Sequence, residues 1–239
     1  GVVGINLGLF LQADDVHEFS SVIAHELAHL SQRHFARRVE ERRSASLTTM
    51  ASMIAGLLIG AAGGTDAALA TISLAQAASH GNQLLYSRER EIEADRVGLA
   101  TMVNAGLDPN GASRMFERMQ RAYRFTRRPP EFLLTHPLSE TRIADAKNQA
   151  RSYPTKEPQK SIAFQMLKLK VEGLYETNPI VTLQKYKKLV EKNPSNIAAR
   201  YGLSLALVKN SSFEDAVNEF EALRSRLPNT ILMLAAYAE

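Results

Sequence analysis

The pentapeptide His25-Glu26-Leu27-Ala28-His29 constrains this chain more than any other feature. On a helix, the (i, i+4) spacing brings both imidazoles to one face, with Cβ atoms about 5–6 Å apart. Nitrogens so placed can both reach one Zn²⁺ at about 2.0–2.1 Å. Glu26 then lies one step round the helix, beside the ion instead of on it. There it can take a proton from an attacking water, the general-base role in metal-assisted peptide hydrolysis. A catalytic zinc site takes three protein ligands and keeps a fourth position open. The fold must therefore carry a helix over this segment and bring a further ligand to it.

The surroundings fit a helix. Val22, Ile23, Leu27 and Leu30 supply an apolar stripe at helical spacing, and Asp14 or Asp15 is placed as N-cap. Just upstream, Val2-Val3-Gly4-Ile5-Asn6-Leu7-Gly8-Leu9-Phe10 reads as a strand, apolar and β-branched with glycines thinning one face. Such a strand would offer an edge on which an extended substrate could lie by backbone pairing. The third ligand is expected from Ser87-Arg88-Glu89-Arg90-Glu91-Ile92-Glu93-Ala94-Asp95, a carboxylate-dense run inside an apolar helical region. Glu91 and Asp95 are (i, i+4), so Glu91 can bind zinc while Asp95 accepts the second N–H of a ligand histidine and fixes its tautomer. Spacing alone leaves Glu93 as an alternative to Glu91, and a merely solvated charged face as the plainer reading of the run.

HELAH, then SRxxExEAD, then Thr135-His136-Pro137 with Arg142 beyond it, resembles one gluzincin metallopeptidase family. Its members include the CAAX prenyl proteases, the membrane protease HtpX, the mitochondrial Oma-type proteases and the periplasmic BepA-like proteins; a helical-repeat tail makes the last group the nearest. The resemblance implies zinc, one per chain, on His25, His29 and Glu91, with Glu26 as base and Asp95 as the outer partner of a ligand. It further implies that His136 borders the active site as a fourth, gating ligand in a latent state, and that Arg142 stabilises the oxyanion on a scissile carbonyl. The remaining histidines are less telling. His34 lies five residues past His29 and would face another side of a continuous helix, in packing or an outer role; His17 at the helix start reads as exposed, and His80 beside Gly81 as a helix end or loop.

At 239 residues, 45 % hydrophobic and 23 % charged, the chain can bury a core and form one or two domains. The net charge of +4 gathers in Arg33, Arg37, Arg38, Arg42, Arg43 and in Arg114, Arg118, Arg121, Arg124, Arg127, Arg128. No nucleic-acid motif accompanies these arginines, so solvated helix faces are expected and no nucleic-acid partner. With no cysteine, disulfides, thiol catalysis and sulfur ligands are excluded. No signal peptide is visible, and the opening without methionine reads as a fragment or processed form; a periplasmic location comes from the resemblance. Met50 to Ala78 is small and apolar but split by Gly63-Gly64-Thr65-Asp66, too short for a membrane span of about 18 residues. Two helices joined by a glycine turn are expected there, with peripheral lipid contact left open.

Ser152-Tyr153-Pro154-Thr155-Lys156-Glu157-Pro158 reads as a linker. Beyond it, a 34-residue shift relates Pro194 to Pro228, Tyr186 to Phe220, Leu189 to Leu223 and Leu169 to Leu203. That is the length of a tetratricopeptide repeat, two antiparallel helices per unit. Ala216 and Phe220 match its second helix, Thr182 departs from the small residue expected, and the consensus tryptophan is absent. The fold expected is thus mainly α, of α+β type: an HExxH metalloprotease domain with a small sheet edge over 1–151, a linker over 152–160, and repeat helices over 161–239, about two repeats with a third starting at Ile231. The resemblance implies an endopeptidase for misfolded or stalled proteins in outer-membrane β-barrel assembly, with the repeats binding clients or the assembly machinery. The competing classes are a non-catalytic assembly factor with a His136-capped zinc, and a membrane-associated protease.

Overall fold

The structure is a computed structural model that describes residues 4–61, 65–124, 131–154 and 160–227. These residues are almost wholly helical: α1 (Gly8–Gln12), α2 (Val16–Ser31), α3 (His34–Ala61), α4 (Thr65–Asn104), α5 (Asn110–Tyr123), α6 (Glu131–Thr135), α7 (Glu140–Ala150), α8 (Ile162–Tyr175), α9 (Pro179–Lys192), α10 (Ile197–Lys209) and α11 (Phe213–Arg224). They divide into two compact units, one of residues 20–154 and one of 4–19 with 160–227.

In the first unit the long helices α3 and α4 pack on each other, and α7 packs on α4 and α5. The face of α2 that this unit buries carries His25 among short side chains: Ser21, Val22, Ala24 and Ala28 are buried with it, whereas Leu27 and Leu30 are 45 % and 42 % exposed. The apolar stripe read through Leu27 and Leu30 is therefore corrected, and the reason is a close helix crossing. A Cβ added to Gly98 of α4 would lie 3.1 Å from both Ala24 C and His25 N. Backbone meets backbone there, and only short side chains fit on either side. Phe116, Ile143 and Ala146 close the core between α5 and α7.

The two apolar helices expected over Met50–Ala78 are α3 and α4; their glycine turn lies outside the described residues, as does most of the expected linker. His80 and Gly81 lie inside α4 instead of ending a helix, an isolated glycine being tolerated within a long helix at about 1 kcal/mol. Among the described residues no helix is long and apolar enough to cross a membrane.

In the second unit the expected strand over Val2–Phe10 is corrected in its described part, where Gly8–Gln12 form α1; Val2 and Val3 lie outside the described residues. Asn6 Oδ1 accepts the Gly8 N–H at 2.8 Å and starts a turn, which carries Phe10 onto Phe19 and Phe164 at ring-centroid distances of 4.3 and 6.0 Å. Among the described residues there is no strand. Asp15 is the N-cap of α2: its Oδ1 accepts the N–H groups of His17 and Glu18, both at 2.8 Å, and Glu18 reaches back to Asp14 N at 2.9 Å. His17, read as exposed, is 5 % exposed beside the buried Glu18, so the start of α2 does not face solvent.

Among the four helices α8 to α11, α10 packs on α8, α9 and α11. Ser161, Asn178 and Asn196 cap α8, α9 and α10 through their side chains. Residues related by the 34-residue shift take matching places: Tyr186 and Phe220 are buried, as are Thr182 and Ala216. Leu189 breaks the match, 39 % exposed where Leu223 is buried. Gly202 explains how closely α10 meets α9, since a Cβ there would lie 2.7 Å from the Tyr186 ring. The third repeat expected from Ile231 lies outside the described residues.

Candidate metal centre

Helix α2 presents His25 and His29 one turn apart, and their Nε2 atoms lie 3.0 Å from each other. Helix α4 brings Glu91 across the crossing at Gly98, with Oε2 3.4 Å from His25 Nε2 and Oε1 3.4 Å from His29 Nε2. The turn after α6 brings His136, whose Nδ1 lies 3.4 Å from His25 Nε2 and 3.1 Å from Glu91 Oε1. One ligand atom from each of these four residues lies within 4.8 Å of all the others. Donors on a tetrahedral zinc at about 2.0–2.1 Å would stand about 3.3 Å apart. The observed separations of 3.0 to 3.4 Å match that spacing, so the donor set fits such an ion.

Glu26 lies beside the cluster. Its Oε1 is buried without a hydrogen-bond partner among the described residues, with His136 Nε2 at 3.5 Å. A carboxylate oxygen kept out of water without a hydrogen bond costs free energy. Its place next to four clustered donors gives it a use, as acceptor of a proton from something entering the site.

Asp95, one turn after Glu91, places Oδ1 2.9 Å from His25 Nδ1, leaving Nε2 to face the cluster. Asp95 is itself held by Arg142, which donates through Nε and Nη2 at 2.7 Å to both carboxylate oxygens. The same guanidinium reaches the Pro137 carbonyl at 2.8 Å and Glu91 Oε2 at 3.1 Å, and lies 5.2 Å over the Phe116 ring. Arg142 is 5 % exposed. In this arrangement its donors serve two carboxylates and the turn that carries His136, so the oxyanion role implied for it would require them to change partner. Phe132 stacks on His136 at 4.9 Å and orients that ring.

The electrostatics follow from this crowding. Burial pushes His25 down, but the carboxylates of Asp95 and Glu91 outweigh it and raise the imidazole from 6.5 to about 9. Burial pushes Glu91 up, and hydrogen bonds from His136, His25 and His29 overcome it, holding the carboxyl far below its ordinary range. Burial likewise opposes, and Arg142 and His25 reverse, the shift of Asp95, which ends lowered. The carboxylates of Glu91 and Asp95 are thus held ionised, and imidazole nitrogens and carboxylate oxygens converge on one point.

His34, placed by its spacing on another side of a continuous helix, instead meets His29: their Nδ1 atoms lie 2.7 Å apart. The chain breaks between α2 and α3 at Arg33, whose φ of 54° lies in the left-handed region. That break turns the start of α3 back on the end of α2. His34 Nε2 lies 3.2 Å from Glu93 Oε2, which Arg37 also contacts at 3.0 Å. Burial lowers His34 below its ordinary value, against the opposing pull of Glu93. Glu93 therefore faces His34 and Arg37 and is not in the four-residue cluster. Gly98, Phe132 and Phe116 also shape the centre without having been read as site residues; the only sequence signal was an isolated glycine in a helical run.

Residues 1–150 match the model of peptidase family M48. The chain belongs to that family. Its M48 domain holds every residue of the centre just described. The chain is similar to the beta-barrel assembly-enhancing protease of Escherichia coli (strain K12), 31 % identical over 235 residues, which is 95 % of this chain and 47 % of the relative. A protein of the same name from Yersinia pestis is 29 % identical over 238 residues, 98 % of this chain and 48 % of the relative. The mitochondrial metalloendopeptidase OMA1 of Schizosaccharomyces pombe is 33 % identical over 129 residues, 52 % of this chain and 34 % of that protein. The chain spans about half the length of the beta-barrel assembly-enhancing proteases it matches.

Proposed function

We propose that this M48 domain is a zinc-dependent endopeptidase. The observation that carries the proposal is the convergence of four ligand atoms within 4.8 Å beside the buried Glu26 Oε1, which has no hydrogen-bond partner among the described residues. His25, His29 and Glu91 hold the ion, and a bound zinc supplies Lewis acidity to the scissile carbonyl and lowers the pKa of water. Glu26 accepts the proton of the attacking water and returns it to the departing amine, so no covalent intermediate on the chain is needed. Asp95 holds His25 in the tautomer that turns Nε2 to the ion, and Arg142 holds Asp95. Replacement Glu26→Gln keeps size and removes the base. The expected outcome is one zinc per chain retained and cleavage of an unfolded protein slowed at least about 10²-fold. Cleavage near the wild-type rate would refute Glu26 as base.

A second reading is favoured by one distance. His136 Nδ1 stands 3.4 Å from His25 Nε2, where a fourth ligand belongs, so His136 caps the site in a latent state. Substrate or water then enters only when the His136-Pro137 turn moves. His136→Ala should raise basal cleavage and keep zinc; unchanged or lower cleavage would leave His136 a structural or substrate-binding residue. A chain capped permanently would be an assembly factor with no protease turnover, and cleavage of an unfolded protein by the unaltered chain, absent in that case, separates the two.

The helix pairs α8–α9 and α10–α11 are read as tetratricopeptide repeats that recruit proteins, supported by the 34-residue shift between the starts of α9 and α11. Outer-membrane β-barrel proteins and their assembly machinery are the proposed partners, and the periplasm the proposed compartment, supported by the similarity to the beta-barrel assembly-enhancing proteases. Removing residues after Ser161 should spare cleavage of a short peptide and weaken capture of a β-barrel client; the opposite pattern would overturn recruitment. Peripheral contact with a lipid surface is supported by Leu47, Ile54, Leu57, Leu58, Leu69 and Leu74, each 58–71 % exposed along α3 and α4. Failure to float with lipid vesicles would end that reading.

A further inference from the structure

We propose that Glu93 and His34 form a carboxylate–imidazole relay that fixes the tautomer and ring angle of His29 for metal binding. The inference rests on the reading of His29 as a ligand and assigns two positioning residues to that site. The protons follow from the distances. His29 turns Nε2 toward His25 and Glu91, so that nitrogen must present its lone pair to an ion, and the single proton of the neutral ring sits on Nδ1. That N–H points at His34 Nδ1, 2.7 Å away, which must accept it. His34 therefore carries its proton on Nε2 and donates it to Glu93 Oε2 at 3.2 Å. Each assignment forces the next, and the terminal carboxylate closes the series because it can only accept. Arg37, 3.0 Å from the same oxygen, keeps Glu93 aimed.

The relay has a counterpart on the other ligand. His25 is set by Asp95 directly, and His29 by Glu93 through His34. The two rings thus receive carboxylate support from the same helix, α4. The support differs in exposure, since the Glu93 side chain is 36 % exposed and the Asp95 side chain 13 %. His34 itself is 4 % exposed and enclosed against His29 at a ring-centroid distance of 4.7 Å. With the left-handed turn at Arg33, the start of α3 is committed to holding this ring.

Outer partners of ligand histidines are worth about 10–100-fold in metal affinity. The test uses zinc-loaded full chain, with zinc dissociation followed by transfer to a coloured chelator, and unfolding of the metal-free protein followed in parallel. Glu93→Ala and His34→Phe should each speed zinc loss at least tenfold while leaving metal-free unfolding within experimental error. Glu93→Gln should recover most of the loss, because an amide oxygen can still accept from His34. A ¹⁵N spectrum of the zinc-loaded protein should place the His29 proton on Nδ1, and that signal should broaden by exchange with water in Glu93→Ala. His29→Ala serves as the control for the ligand reading, and it should lose zinc altogether. If His29→Ala keeps its zinc, the ligand assignment fails. If His29→Ala loses zinc but Glu93→Ala and His34→Phe release it at the wild-type rate, the relay alone is wrong.

Discussion

Replacing Gly98 by alanine tests whether the α2–α4 crossing sets the metal centre. Two effects oppose each other. Alanine is the better helix former by about 0.8–1.0 kcal/mol, which would stabilise α4. The added Cβ, however, would stand 3.1 Å from Ala24 C and His25 N, where carbon contacts prefer about 3.5–4.0 Å. Both neighbours are backbone atoms, so no side chain can rotate away and α2 must retreat by about half an ångström. Overpacking of this kind costs about 1–3 kcal/mol, which meets or exceeds the helix gain. The displaced atom is the amide of His25 itself, and metal ligands tolerate about 0.2 Å. Metal-free protein unfolded in urea should therefore be less stable by up to about 2 kcal/mol, and zinc affinity measured by chelator competition should fall about tenfold or more. A variant that gains stability and binds zinc as wild type would refute the claim that this contact positions His25.

Arg142→Lys should destabilise by about 3–5 kcal/mol in chemical denaturation, because one ammonium cannot serve Asp95 bidentately along with Glu91 and the Pro137 carbonyl, and it strands a buried carboxylate. Wild-type stability would show that the guanidinium is not the clamp. In the second unit, Gly202→Ala should lower the thermal midpoint, the new Cβ meeting the Tyr186 ring at 2.7 Å, and Tyr186→Leu in the same chain should restore part of it; independent effects would refute that close approach. The carboxyl of Asp108, 2 % exposed, is pushed up by burial and brought below its ordinary 3.8 by Arg114 and Asn110. A folded-state value below the unfolded one gives stability that is present above about pH 4 and lost as pH falls further. Asp108→Asn should flatten that acid limb of a stability–pH curve, and an unchanged limb would refute the attribution.

Where residue spacing settled a contact, the sequence was readable. The His25–His29 pair and the Glu91–Asp95 pair each require only helical continuity over one turn, and both segments are helical. The 34-residue shift recurs between the starts of α9 and α11, Pro179 and Phe213. Legibility ended where backbone departs from regular helix without glycine or proline to announce it. Arg33 takes a left-handed φ, uncommon for a long side chain, and that one residue reverses the environment of His34. On a continuous helix, five residues would have turned His34 about 140° from His29. The expected strand failed differently in its described part, since a short apolar segment fits strand and helix equally by pattern, and the contact of Phe10 with Phe19 and Phe164 decides for helix at Gly8–Gln12.

The choice between Glu91 and Glu93 shows what a helix face adds to a spacing. Both glutamates lie within two residues of each other, and spacing to the histidines cannot separate them. Glu91, Asp95 and Gly98 stand at i, i+4 and i+7, so they share one side of α4, and Gly98 is where that side touches α2. A ligand must lie on the face that carries the close approach. Glu93 is about 200° round the helix from Glu91 and meets His34 from the side where α3 begins. His29 stands between the two carboxylates, with Nε2 toward Glu91 and Nδ1 toward the ring that Glu93 holds. The two glutamates therefore bear on opposite nitrogens of one imidazole. Loss of Glu91 should remove a ligand, whereas loss of Glu93 should leave the ligand set whole and its orientation weakened.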